Sequence, residues 1–243
     1  MLPVIPKNVS RFKSKFLPAG PFDYVPFTVG QESVLLAVQD TKEKKEQVNA
    51  IRQIIKECIT TPNYDVDSIP VFVLELIFIR LREKSVGEMM EFNYICKHKV
   101  EGEAGETKEC NTPIDVSIDL RKVDMREIDG HETKVMITDT IGIKFKYPDF
   151  DMLMNMEEGM TEVDTIVSCI DFIFDGDDIH YAKDQKPEDL IKWYKNLDMK
   201  EKVKIHKVFL LSAPHIFHEQ ELTCKSCGTK HKLQFTELTD FFG

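Results

Sequence analysis

The 243-residue chain has no apolar run approaching the ~18 residues that a membrane-spanning helix requires; its longest is a handful. Its opening, Met1-Leu2-Pro3-Val4-Ile5-Pro6-Lys7, lacks the apolar stretch of a secretory signal, so a cytosolic product is expected. Positive charge is also in short supply. Lys plus Arg number 32 against 42 Asp plus Glu, a net charge of −10, with a pI near 5.3. That balance argues against broad, non-specific nucleic-acid binding, which needs a basic footprint, although it leaves room for a local patch. Lys7, Arg11, Lys13 and Lys15 form the clearest basic cluster and read as a solvated N-terminal arm. Glycine-rich phosphate loops, G-x-S-x-G elbows and helix-borne H-E-x-x-H pairs are missing, so catalysis has no visible seat and a non-enzymatic role is expected.

Apolar residues make up 42% of the chain and charged residues 30%, so burial can offset chain entropy. Residues 1–30 hold five of the eleven prolines and read as an extended, Pro-rich arm pinned by its Phe and Val side chains. Residues 31–87 read as helical. One helix starts after Gly30 with Val34, Leu35 and Val38. A second, capped by Thr41, carries Val48, Ile51, Ile54, Ile55 and Cys58 on one face. A third, capped by Asp67 or Ser68 with Pro70 in its first turn, is apolar nearly all round from Val71 to Leu81. It should therefore lie between layers or against another chain.

From 88 to 147 the period drops to two. Phe92 and Tyr94, Ile114 to Leu120, Val135 and Ile137, and Ile143 to Tyr147 alternate as antiparallel strands, with Lys99–Asn111 as a long hairpin tip. Residues 148–213 read as a helical insertion, in which Ile166, Cys169, Ile170 and Ile173 share a face. Further helices begin near Pro187 and Met199. Residues 214–243 alternate again, and the chain finishes on Phe241-Phe242, which must pack somewhere.

Six cysteines are too few for a disulfide scaffold at this length and are better read as metal ligands or buried thiols. Cys58 and Cys169 fall on apolar helical faces and belong to the core. The strong chemical signal is Cys224-Lys225-Ser226-Cys227-Gly228, a knuckle of the kind that holds half a zinc-ribbon site. Cys96 and Cys110 flank the charged tip and supply the missing pair. Cys110-Asn111-Thr112 and Cys227-Gly228-Thr229 are alike, and each precedes an alternating strand. Two hairpins clamping one structural Zn²⁺ through Cys96, Cys110, Cys224 and Cys227 are therefore expected, with 113 residues between them. Iron is the weaker alternative, and free thiols without an ion are the plain one. His98 or His231 could replace a cysteine.

Other candidates fail on spacing. Asp171 with Asp175-Gly176-Asp177-Asp178 places glycine correctly for a calcium loop, but Ile173 and Ala182 stand where acids are needed. His215 and His218 read as strand-entry surface residues, and Thr138-Asp139-Thr140 as a turn.

An ordered set of segments resembles a family. Phe27-Thr28-Val29-Gly30-Gln31-Glu32-Ser33-Val34-Leu35-Leu36 comes first, followed by a helix ending in Cys58 and an apolar helix closing Leu81-Arg82-Glu83-Lys84-Ser85-Val86-Gly87-Glu88. Then come the Cys96/Cys110 pair before Ile118-Asp119-Leu120, and finally Cys224-x2-Cys227-Gly228 with Leu238-Thr239-Asp240-Phe241-Phe242. Together they resemble the baseplate hub assembly proteins of T-even-type contractile-tailed bacteriophages. The resemblance implies a hub subunit or assembly factor whose partners are other baseplate hub and tail proteins, present in the host cytoplasm during assembly or in the virion tail. It brings no catalytic residues, no expected nucleic-acid partner and no membrane.

The expected fold is α+β: a helical N-terminal region, a small antiparallel zinc-ribbon-like module and a helical insertion. Protein–protein assembly is the expected function, with the Pro-rich arm and Phe241-Phe242 as anchors that could equally pack within the chain. A zinc-ribbon adaptor for nucleic acid or a polymerase is the rival, supported by Lys225, Lys230, His231 and Lys232 and opposed by Glu219, Glu221 and Glu237. A hydrolase comes third, since it would need a metal with an open position.

Overall fold

The structure, a computed structural model, describes residues 3, 5–39, 44–101, 106–155 and 159–241. The expected cap Thr41 and the terminal Phe242 lie outside the described residues. The Pro-rich segment folds back on its own chain: β1 (Ser10–Phe12) pairs antiparallel with β2 (Phe22–Tyr24), and Phe12 stacks on Phe22 at 5.4 Å. Phe12, Leu17, Phe22 and Tyr24 are buried, so most of the arm's apolar groups are used inside the molecule. Arg11 pairs with Asp23 and Lys15 with Glu127 at the surface.

Helix α1 (Val29–Gln39) leaves Val34 and Leu36 exposed, with Leu35 against the core. Helix α2 (Lys44–Cys58) buries Ile54, Ile55 and Cys58, as its periodicity predicts. Burial pushes the Cys58 thiol up to about 11, the state of an inert core group.

Helix α3 (Val71–Ser85) is the centre of the larger core, with nine of its fifteen residues buried. Neither Asp67 nor Ser68 caps it. Pro70 holds the N-cap position without a side-chain bond, and the Val71 N–H donates to the Pro148 carbonyl. Asp67 is instead drawn to the α2 cations, with Arg52 at 2.7 Å and Lys56 at 2.6 Å. Arg80 donates from its two terminal nitrogens to the Leu120 and Val123 carbonyls, tying α3 to the next segment.

Strands β3 (Met89–Ile95) and β6 (Pro113–Asp119) form a two-stranded antiparallel ribbon, extended beyond its open end by the small hairpin of β4 (Lys99–Glu101) and β5 (Thr107–Glu109). Then come β7 (Asp124–Arg126), β8 (Lys134–Met136) and β9 (Ile141–Phe145). Thr138 makes the turn between β8 and β9, its hydroxyl accepting from the Ile141 N–H at 2.9 Å. Next are helices α4 (Phe150–Asn155) and α5 (Glu162–Ser168), and strands β10 (Ile170–Asp175) and β11 (Asp178–Tyr181). Helices α6 (Pro187–Lys195) and α7 (Met199–Ile205), a wide turn over His206–Leu210, and strands β12 (His215–Thr223) and β13 (Lys230–Phe235) follow. A short 3-10 turn, Leu238–Phe241, ends the described chain.

The fold is α+β, but the insertion is not wholly helical. Ile166, Cys169, Ile170 and Ile173 do not share a helix face: α5 stops at Ser168, and Ile170–Asp175 is a central strand of a four-stranded sheet in the order β11-β10-β9-β8. The spacing misleads because the register shifts between Ile170 and Phe172. The extra residue brings Ile170 and Ile173, three apart, to the same buried side, which imitates a helical period. Val135, Ile143, Phe145, Ile170 and Ile173 of this sheet pack with Ile166, Leu190, Tyr194, Ile205 and Phe209 in a second core. Asp175-Gly176-Asp177-Asp178 is the hairpin turn joining β10 to β11.

The two cores meet at Tyr147, which packs against both. His131 Nε2 lies 2.8 Å from the Tyr147 hydroxyl and its Nδ1 lies 3.1 Å from Ser212 Oγ. Ser212 donates its proton to the Val208 carbonyl, so His131 donates from Nδ1 and accepts at Nε2.

Candidate metal centre

The third sheet, β13-β12-β7, brings the chain's end beside the β3–β6 ribbon. Phe92 meets Phe235 edge-on at 5.9 Å, and Tyr94 meets His231 at 5.2 Å. This packing sets the ends of β3 and β12 side by side, with Cys96 just past one and Cys224 just past the other.

Each pair of cysteines is held by the same backbone pattern. The Cys96 N–H donates to the Thr112 carbonyl and the Asn111 N–H donates back to the Cys96 carbonyl. At the second knuckle the Cys224 N–H donates to the Thr229 carbonyl and the Gly228 N–H donates to the Cys224 carbonyl. Both turns need a left-handed residue after the second cysteine. Gly228 takes φ +72° at no steric cost, and Asn111 takes φ +51°, a conformation asparagine tolerates better than most residues. The Cys-x-Thr likeness in the sequence is thus a repeated three-dimensional turn, one copy carrying the β4–β5 hairpin between its cysteines.

The sulfurs of Cys96, Cys110, Cys224 and Cys227 all lie within 4.8 Å of one another. Across the two knuckles, Cys96 Sγ is 3.7 Å from Cys227 Sγ and Cys110 Sγ is 3.7 Å from Cys224 Sγ. All are free thiols; a disulfide would need ~2.0 Å. Cys96 and Cys224 are fully buried, while Cys110 and Cys227 keep some exposure. Four sulfurs at this spacing could hold a metal ion.

The surroundings favour negative sulfur. The Thr112 hydroxyl, 3.2 Å from Cys110 Sγ, and the Thr112 N–H pull that thiol down to about 6. Thr229, 3.3 Å from Cys227 Sγ, lowers its neighbour in the same way. Burial drives Cys96 the other way, up to about 12. A buried thiolate beside others is costly without a cation, and a metal ion at the centre removes that conflict. The two threonines are the contribution that spacing alone did not reveal; the repeated Cys-x-Thr was the available signal.

His231 Nε2 sits 3.1 Å from Cys96 Sγ, beside the four-sulfur cluster. His98 is exposed; its backbone carbonyl accepts from the Cys110 N–H. His215 and His218 lie on β12 and Asp171 on β10, all outside the sulfur cluster. The expected terminal anchor Phe241 is 1% exposed in the larger core, 5.7 Å from Phe235. No helix among the described residues is long and apolar enough to cross a membrane.

No curated protein and no solved structure matches the chain. The family model described as T4 bacteriophage base plate protein matches residues 9–243, a span that takes in the N-terminal hairpin, both cores and all four clustered cysteines. On that nearly full-length match, the chain belongs to the T4 bacteriophage base plate protein family.

Proposed function

We propose that the protein is a non-enzymatic component of the baseplate hub, a structural subunit or an assembly factor, that works through contacts with other hub and tail proteins. The family match over residues 9–243 carries this reading. Apolar groups left on the surface of two helices, Val34 and Leu36 on α1 and Met199 and Val203 on α7, are in keeping with a protein made to meet neighbours. Affinity capture from infected cells, compared with the composition of purified particles, tests it. Co-purification with hub and tail proteins is expected. A chain that captures none of them and is absent from particles would sink the reading.

In the same reading, Cys96, Cys110, Cys224 and Cys227 hold one structural Zn²⁺. A tetrahedral tetrathiolate with Zn–S near 2.3 Å has sulfurs ~3.8 Å apart, close to the 3.7 Å across the knuckles. Four sulfur ligands leave no position for a reactive water, so the ion would join the chain end to the middle ribbon and supply no chemistry to a substrate. Elemental analysis of protein purified without chelator should give one zinc per chain; well under one equivalent defeats the zinc assignment. The rival nucleic-acid adaptor loses one of its cations, since Lys232 is paired with Glu219 at 2.8 Å. Tight, steeply salt-sensitive DNA binding would restore it.

A further inference from the structure

The four-stranded sheet has two faces, and among the described residues its helices pack on only one of them. On the other face the strand register sets Phe172 opposite Tyr181 and Lys144, and Phe174 opposite Ile179 and Gly142. It also sets Lys134 opposite Lys144 and Met136 opposite Gly142. Directly opposed residues share a face, so these side chains form one surface. Phe172 and Phe174 belong to neither core. Ile179, Tyr181 and Met136 are 49%, 43% and 37% exposed, and all four residues of the edge strand β11 are open to solvent.

This face is built deliberately. The Cζ end of the Phe174 ring lies over Gly142, where an added Cβ would come within 2.2 Å of it. Lys134 Nζ sits 4.6 Å above the same ring, and Lys183 Nζ sits 5.5 Å from the Tyr181 ring.

The charges identify the occupant. In a chain with ten more acids than bases, Lys134, Lys144 and Lys183 have no ion-pair partner among the described residues. Lys134 and Lys144 face each other across the strands, and like charges directly opposed destabilise a sheet. Carboxylates brought by a partner would relieve that repulsion, while apolar side chains between them would cover Phe172, Ile179 and Tyr181. The free edge of β11 offers the backbone groups for an added strand.

We propose that this outer sheet face docks an extended, acidic protein segment with alternating apolar side chains, added along β11. Nucleic acid fits less well: Phe174, against Gly142 with Lys134 over its ring, is only 8% exposed and offers no free face for a base to stack on, and the chain's net −10 charge repels a phosphate backbone. The proposal is independent of the cysteine centre.

Fluorescence polarisation of a fluorescein-labelled octapeptide alternating Glu and Val, titrated with the full chain, tests it. Binding in 50 mM salt should weaken about fivefold or more at 300 mM. It should also weaken at least about tenfold in K134E/K144E, but not in K192E/K200E on α6 and α7. K134Q/K144Q removes the facing like charges without reversing them, so it should keep the sheet folded and still lose binding. Three results overturn the proposal: no peptide binding, equal binding by K134Q/K144Q, or tighter binding of a thymidine 20-mer through the same lysines.

Discussion

In the cysteine module, among the described residues, β3 pairs only with β6, and β13 only with β12. Met90, Val116, Ile118 and Phe235 of these strands reach the larger core, but toward the sulfurs Phe92, Tyr94, Leu222 and Leu233 are only partly buried against it. In the four-stranded sheet, β9 and β10 are flanked on both sides, and Val135, Ile143, Phe145 and Ile173 lie under three helices in a core of their own. Two-stranded ribbons are marginal in water, whereas a sheet with a helix-covered face is not. The module brings together four sulfurs from positions 131 and 114 residues apart, whereas the sheet relies on aromatic packing such as Phe145 on Phe209. Chemistry that attacks one region should therefore spare the other.

The largest expected effect comes from the sulfur cluster. Chelation, or Cys224→Ser, should raise amide exchange by about ten-thousandfold or more in the outer parts of β3, β6, β12 and β13, because metal binding in such sites is folding free energy. Amides of β9 and β10 should change little. Uniform loss of protection across both regions would show that they do not hold independently.

Phe209→Ala tests the converse. Phe209 is 2% exposed and stacks on Phe145 at 4.4 Å, so its loss should cost about 3–5 kcal/mol. Metal content measured on the folded variant should stay at the wild-type value, and a parallel drop in metal would contradict the separation. Gly142→Ala probes the outer face of the same sheet. Displacing the Phe174 ring should cost about 1–3 kcal/mol in chemical denaturation, and a neutral result would mean that the ring moves aside freely.

The smallest effect concerns the attachment of the chain end. Glu75 on α3 lines a surface cavity of about 600 Å³ with His215, Thr236, Glu237 and Leu238, and it accepts from the Leu238 N–H. Burial raises its carboxyl to about 7, and the charges of Glu237 and Asp240 add to the shift. A carboxyl raised by folding gives stability that is full below its unfolded value near 4.5 and is lost as pH rises through about 7. Glu75→Gln should therefore raise thermal stability by about 1–2 kcal/mol at pH 8 and leave it nearly unchanged at pH 4.5. A gain of the same size at both values would place its cause elsewhere.

Much of the helical architecture was legible because the relevant signals are local. The face of α2, the apolar belt of α3 and the proline start of α6 are read from residues a few positions apart, and the structure places them accordingly. Strand β10 was not legible. Its bulge gives Ile170 and Ile173 a helical spacing, and only pairing with β9 and β11 reveals it as a strand. The cap of α3 escaped for a similar reason: its N-terminal N–H is satisfied by Pro148, a residue distant in sequence, while Asp67 goes to Arg52 and Lys56. The arm's destination was open in the sequence, because Phe12 and Phe22 could bury against a partner as readily as against α3.

What the sequence determined by itself was the two-part form of the cysteine cluster. Thiolates at C-x2-C spacing and a repeated Cys-x-Thr are properties of short segments, whose turn geometry needs no distant help. What only the tertiary structure decided was that the two halves meet, that Thr112 and Thr229 support the sulfurs, and that three lysines gather on an uncovered sheet face. These depend on strand register and on packing between residues more than a hundred positions apart, which no local period encodes.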